Sequence, residues 1–68
     1  MDYAKLIKKL REKLILSQSE LASILDVSFS SVNRWENGKH EPTIKVKRKL
    51  NDLFIKNNIK GDIKNGKK

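Results

Sequence analysis

Apolar residues open the chain at steps of three and four: Tyr3, Leu6, Ile7, Leu10 and Leu14, with Lys5, Lys8, Lys9 and Lys13 on the opposite side. That spacing predicts an amphipathic helix over residues 3–14, and Asp2 is placed to cap it. Arg11 lies beside the stripe, one turn after Ile7. Ser17 and Glu20 fit a capping box, in which a hydroxyl and a carboxylate satisfy each other's backbone donors. The helix they start should bury Leu21, Ile24 and Leu25, with small Ala22 where a neighbouring helix can cross closely. A turn follows at Asp26 and Val27. Ser28 then caps a third helix over residues 29–36, and Asn37-Gly38 stops it, because glycine takes positive φ without steric cost. Residues 39–42 read as a loop. Thr43 caps a fourth helix, in which Val46, Leu50, Leu53 and Phe54 keep a helical spacing. The class is all-α.

The last stretch, KNNIKGDIKNGKK, holds two glycines, three asparagines and five lysines. It reads as a basic, flexible tail (residues 56–68) after a folded domain of residues 1–55. Ile55, Ile59 and Ile63 recur every four residues, which leaves open a weak extra turn or a helix formed on a partner.

Charge changes the picture more than size does. The 68 residues carry a net charge of +8, and no cysteine offers a disulfide or a thiolate metal site. Residues 1–42 are nearly balanced at +1, whereas residues 43–68 carry +7. A small basic domain is drawn to nucleic acid or to an anionic membrane surface. The longest apolar run, Leu14-Ile15-Leu16, is far shorter than the roughly 20 residues of a membrane span. The start of the chain lacks the apolar core and cleavage site of a secretory signal. The expected location is cytoplasmic.

The third helix separates into two faces. Val32, Trp35 and Glu36 share one side. Phe29, Ser30, Asn33, Arg34 and Asn37 share the other, being neighbours at four-residue steps. Base edges in a major groove are read by such groups: Arg on guanine, Asn on adenine, Ser on either, an apolar ring on the thymine methyl. An ordinary solvated helix face also favours Ser, Asn and Arg. Phe29 tilts the balance, because an aromatic on a short polar face needs a partner; packing against the loop or the first helix is its alternative.

The residues match a known pattern. Arg11, Ser17-Gln18, Leu21-Ala22, Val27-Ser28, Val32 and Trp35-Glu36-Asn37-Gly38-Lys39 with Pro42 resemble the Cro/cI-type (XRE-family, lambda-repressor-like) helix-turn-helix domain over about residues 3–54. The resemblance implies a compact bundle of four or five helices that binds double-stranded DNA in bacterial or phage transcription, most often as a repressor, and as a homodimer when the site is a palindrome. It implies a positioning helix over residues 19–25 and a recognition helix over residues 29–36. It assigns base reading to Phe29, Ser30 and Arg34, with Asn33 added from its place on the same face. It assigns phosphate contacts to Gln18, Asn37, Lys39 and the backbone near Thr43, and it pairs Arg11 with Glu36 as architecture. Two positions depart from the family. Asp26 stands where glycine is common, and aspartate tolerates left-handed geometry. Ile15 stands near the place where many members have a glycine that closes the first helix; a β-branched residue is poor there, so another path is expected for that loop.

Other chemistry is thin. His40 has no second histidine or cysteine to complete a metal site, so no metal or other cofactor is expected. The serines lack a His/Asp constellation to activate one, so no enzyme is expected. Trp35 could stack on a base, but its spacing from Val32 points to the core. The tail could meet phosphates, in which case deleting residues 56–68 flattens the salt dependence of binding. It could instead grip a protein partner through Ile55, Ile59 and Ile63. That rival, an antitoxin-type interaction module, gains from a reading face that looks neutral, with Arg34 offset by Glu36. A membrane-surface role has only a thin apolar stripe behind it.

Overall fold

Each helix starts on a side chain that its sequence supplies. In the computed structural model, which describes residues 2–59, four helices follow one another: α1 (Tyr3–Leu14), α2 (Gln18–Leu25), α3 (Phe29–Glu36) and α4 (Ile44–Lys56). The Asp2, Ser17, Ser28 and Thr43 side chains each accept a backbone N–H three residues on. Such caps satisfy donors that a helix start leaves free. Ser17 and Glu20 form the complete reciprocal box, at 3.0 and 2.8 Å.

All four helices also end in one way. A residue with positive φ follows the helix, its N–H bonds the carbonyl three back, and the next N–H bonds the carbonyl five back. The left-handed residues are Ile15, Asp26, Gly38 and Asn58, at φ 56°, 60°, 73° and 57°. The longer bonds run from Leu16 to Arg11, Val27 to Ala22, Lys39 to Arg34 and Ile59 to Phe54, at 2.8–3.0 Å. This is the Schellman closure, usually built on glycine. At Gly38 an added Cβ would meet nothing within 4 Å, so φ rather than space makes glycine suitable there.

Ile15 overturns the expectation of a different path: an isoleucine takes the left-handed cap itself. The closure holds because Leu16 beyond it packs against the core, as Val27 does after Asp26. The strain remains, since left-handed geometry costs an L-residue about 1–2 kcal/mol. Ile15 is 88% exposed, so its side chain contributes little packing in exchange. Ile15→Gly should therefore raise stability by about 1 kcal/mol, after the extra freedom of glycine in the unfolded chain is subtracted. In a domain of this size that lifts the melting midpoint by roughly 4–8 °C. A thermal melt that falls instead would show that the isoleucine side chain holds the cap.

The four elements pack around one core. Helix α2 lies against α3, α1 against α3 and α4, and α2 against α4. Ile7, Leu10, Leu21, Val32, Leu50 and Phe54 have no exposed surface. Burial of each such side chain contributes about 1.5–3 kcal/mol. Tyr3 joins the two ends of the domain: its ring lies 6.2 Å from that of Phe54, and its hydroxyl donates to Asn51 Oδ1 at 3.3 Å. Lys49 of α4 reaches the Leu25 carbonyl at 3.4 Å, a cation at the negative end of α2.

Two packing expectations change. The spacing places Ile24 on the buried face of α2, but it is 52% exposed, because Leu21, Ala22 and Leu25 alone fill the contact. Composition groups Ile59 with the tail, yet it is 8% exposed and belongs to the core cluster. The closure after α4 folds it back over Phe54. It is therefore withdrawn from any partner stripe with Ile55, which is 64% exposed, and Ile63 lies outside the described residues. A truncation aimed at the tail's charge must begin after Ile59. Among the described residues no helix is long and apolar enough to cross a membrane.

Candidate nucleic-acid interface

The site is built on the α2–turn–α3 unit. Ser17 opens α2 and Asp26 turns the chain in the left-handed conformation that aspartate tolerates. Ser28 then starts α3 and Gly38 ends it. Val32, Trp35 and Glu36 are buried and clamp α3 to the body of the domain. Phe29, Ser30, Arg34 and Asn37 are exposed, while Asn33 is half-buried. Phe29 keeps 51% of its surface, which is the exposed aromatic the sequence singled out.

Beneath that face lies a paired charge. Arg11 Nε donates to Glu36 Oε2 at 2.6 Å and its Nη2 to Glu36 Oε1 at 2.9 Å. The third guanidinium nitrogen, Nη1, donates to the Leu16 carbonyl at 3.1 Å, which ties the pair to the closure after α1. A two-point arginine–carboxylate contact is among the stronger polar interactions in proteins. The Glu36 side chain is 3% exposed against 24% for Arg11. Glu36 thus faces inward and does not neutralise Arg34. The offset that favoured the protein-interaction rival is absent.

Gln18 extends this pair outward. Its Nε2 donates to Glu36 Oε1 at 3.0 Å and its Oε1 accepts from Asn33 Nδ2 at 3.2 Å. Asn33 Oδ1 in turn accepts from Asn37 Nδ2 at 3.0 Å. Five candidate residues, Arg11, Glu36, Gln18, Asn33 and Asn37, are therefore brought into one continuous chain. The sequence had placed Asn33 and Asn37 on one face, but the link through Gln18 was missed. Its signal was slight: an amide opening α2 and another midway along α3, with no statement of how the helices cross.

The remaining candidates lie apart from that chain. The Lys39 side chain is exposed, and its N–H completes the stop after α3. Thr43 caps α4 through its hydroxyl, which accepts from the Val46 N–H at 3.4 Å. The first amides of a helix have no intrahelical acceptor, so the start of α4 offers donors suited to an anion. Nearby Lys47 is engaged with Glu41 at 2.9 Å and lies 5.3 Å from the centroid of the Tyr3 ring. Its hydrogen bond and charge hold the Glu41 carboxyl below its ordinary range. Among the described residues no group of three His, Asp or Glu side chains could hold a metal ion.

The buried carboxylate has a pH consequence. Burial pushes the pKa of Glu36 up, but hydrogen bonds from Arg11 and Gln18 and the charges of Arg11 and Lys8 outweigh it and hold it below the ordinary value. A depressed folded-state pKa gives stability that is full above the unfolded value, about 4.3, and is lost as pH falls through the folded one. Between pH 7 and 3 the melting temperature of the native chain should therefore fall further than that of Glu36→Gln. Parallel curves from circular dichroism melts would show that Glu36 does not contribute to acid lability.

Comparison with known proteins agrees with this architecture. The sequence model of the helix-turn-helix family matches residues 7–54, which run from within α1 nearly to the end of α4. The chain belongs to the XRE-type helix-turn-helix family. It is 46% identical over 50 residues to a protein of Pyrococcus abyssi whose provisional name is HTH-type transcriptional regulatory protein. That alignment covers 74% of this chain but 16% of the relative, so the chain spans about a sixth of the relative's length. No solved structure matches the chain at the same stringency.

Proposed function

We propose that this domain binds double-stranded DNA in a sequence-dependent way and acts in transcriptional regulation, as a repressor. Helix α3 would enter the major groove. Phe29, Ser30, Asn33 and Arg34 would read bases, while Gln18, Asn37, Lys39 and the start of α4 at Thr43 would hold phosphates. Base contacts specify and phosphate contacts position. One observation carries the proposal: the inner face of α3 is locked to the core by Trp35, Val32 and the Glu36–Arg11 pair, while its outer face keeps Phe29, Ser30 and Arg34 in solvent. A helix held so firmly, with an aromatic and a guanidinium left outside, is suited to a groove. The same face carries the +1 charge of Arg34 without a neighbouring exposed carboxylate on α3, which suits a polyanion.

The test is selection of bound duplexes from a randomised pool at about 150 mM salt, where charges are screened within roughly 8 Å. Enrichment of a motif supports a reader, and a palindrome supports two copies bound with two-fold symmetry. Binding without enrichment leaves only phosphate attraction, and no binding rejects the proposal. On the selected site, Arg34→Ala should cost about 1–3 kcal/mol and relax preference at one base pair. Lys39→Ala should weaken every sequence alike. A uniform loss from Arg34→Ala would reassign that residue to phosphate.

A further inference from the structure

We infer that Glu36 is a positioning residue for the reading face: its carboxylate sets the donor–acceptor sense of the Gln18, Asn33 and Asn37 amides and so fixes which atoms α3 presents. This deepens the DNA-reading proposal and rests on it for its second half only. The first half concerns the free protein.

A side-chain amide has no preferred sense of its own. A row of amides can run nitrogen to oxygen in either direction with the same number of hydrogen bonds, because each carries both a donor and an acceptor end. An ionised carboxylate breaks that symmetry, since it only accepts. Glu36 Oε1 already takes Arg11 Nη2 and faces Gln18, so Gln18 must present its NH2 there, at 3.0 Å. Its oxygen is thereby turned toward Asn33, which must answer with NH2 at 3.2 Å. The Asn33 oxygen then requires the NH2 of Asn37, at 3.0 Å. Reversing any one member would set oxygen against oxygen at its inner neighbour.

The row runs from inside to outside. Glu36 is 5% exposed, Gln18 and Asn33 are half-buried, and Asn37 is exposed. Arg11 keeps the carboxylate in place from the far side. An ion pair under the helix is thus expressed at its surface as one fixed arrangement. Asn33 retains one N–H and one oxygen lone pair, each at a set position. Adenine needs that pair in a definite order, and a good two-point contact discriminates between bases by roughly 5- to 150-fold. If the amide could take either sense, the discrimination would be diluted.

The experiment uses the full chain, first without DNA. The side-chain NH2 signals of Gln18, Asn33 and Asn37 are followed by 1H–15N correlation spectra in Glu36→Gln and in Gln18→Met. Glutamine at 36 can donate as well as accept, so it frees the sense of the row. Methionine at 18 cuts the row without altering any charge; it removes one hydrogen bond from Glu36 but leaves both Arg11–Glu36 bonds in place. Both should shift the Asn37 NH2 signals; Asn37 follows Glu36 in the chain, so the decisive shift is the one in Gln18→Met, since Asn37 meets Gln18 only through Asn33. Unmoved Asn37 signals in folded Gln18→Met overturn the inference, whether or not Glu36→Gln folds. Selection from the randomised pool then asks for the consequence. Glu36→Gln should lose preference several-fold at one base pair while the preference removed by Arg34→Ala persists. An unchanged profile in folded Glu36→Gln overturns the reading half. If the native chain selects no motif, the DNA proposal fails, and the spectra of the free chain still decide the relay.

Discussion

Arg11→Met should remove a large share of the stability of the domain. The variant keeps the aliphatic stem but strands the Glu36 carboxylate, whose side chain is 3% exposed, with Gln18 as its remaining side-chain donor. Removing one partner of a buried pair costs about 3–5 kcal/mol. At about 0.05–0.15 kcal/mol per residue, a domain of this length has only roughly 3–10 kcal/mol to lose. The opposite deletion should be milder. In Glu36→Gln, Arg11 stays 24% exposed and keeps its bond to the Leu16 carbonyl, so its charge is not stranded. Urea unfolding of both variants measures the asymmetry. Equal losses would mean that the pair is not buried in solution to the extent its geometry states.

Trp35→Ala should be equally damaging, for a different reason. Trp35 is 7% exposed and packs in the same cluster as Val32 and Leu21. Truncating a buried tryptophan costs about 3–5 kcal/mol through lost transfer energy and the cavity left behind. The position was also conceivable as a stacking platform for a base, and a second variant separates the two roles. Trp35→Phe preserves an aromatic ring and most of the contact, so it should fold and bind DNA with little change in base preference. If Trp35→Ala melted like the native chain yet lost DNA binding, the side chain would belong to the interface and not to the core.

The helices were legible because each carries its own punctuation. Asp2, Ser17, Ser28 and Thr43 are good caps, and the spacing of Leu6, Ile7 and Leu10 or of Val46, Leu50 and Phe54 marks the inner faces. The split of α3 into a Val32–Trp35–Glu36 side and a Phe29–Ser30–Arg34 side was legible for the same reason. Ile24 was misplaced because periodicity identifies a stripe, whereas the neighbouring helix decides how wide a stripe is covered. Ile15 departs from the expectation because residue preference for left-handed geometry is a local term of about 1–2 kcal/mol, opposed here by the packing of half-buried Leu16 on the core and by the backbone bonds of the closure. Ile59 was lost in a lysine-rich context whose composition conceals a single anchoring side chain. The amide row was out of reach altogether, since Gln18 and Asn33 are 15 residues apart and meet only through the angle between α2 and α3.

The repeated helix closures also bear on how quickly this domain assembles. Each is made between residues three to five apart, so the bonds that bound a helix are local in sequence, although the cap at Ile15 is held only once Leu16 meets the core. Domains dominated by such local contacts fold in microseconds to milliseconds. The slow part of the search is left to a few distant meetings, above all Tyr3 with Asn51, 48 residues away. Relieving the strain at Ile15 should therefore speed the formation of α1, while loosening the Tyr3 contact with α4 should change the rate at which the finished helices dock.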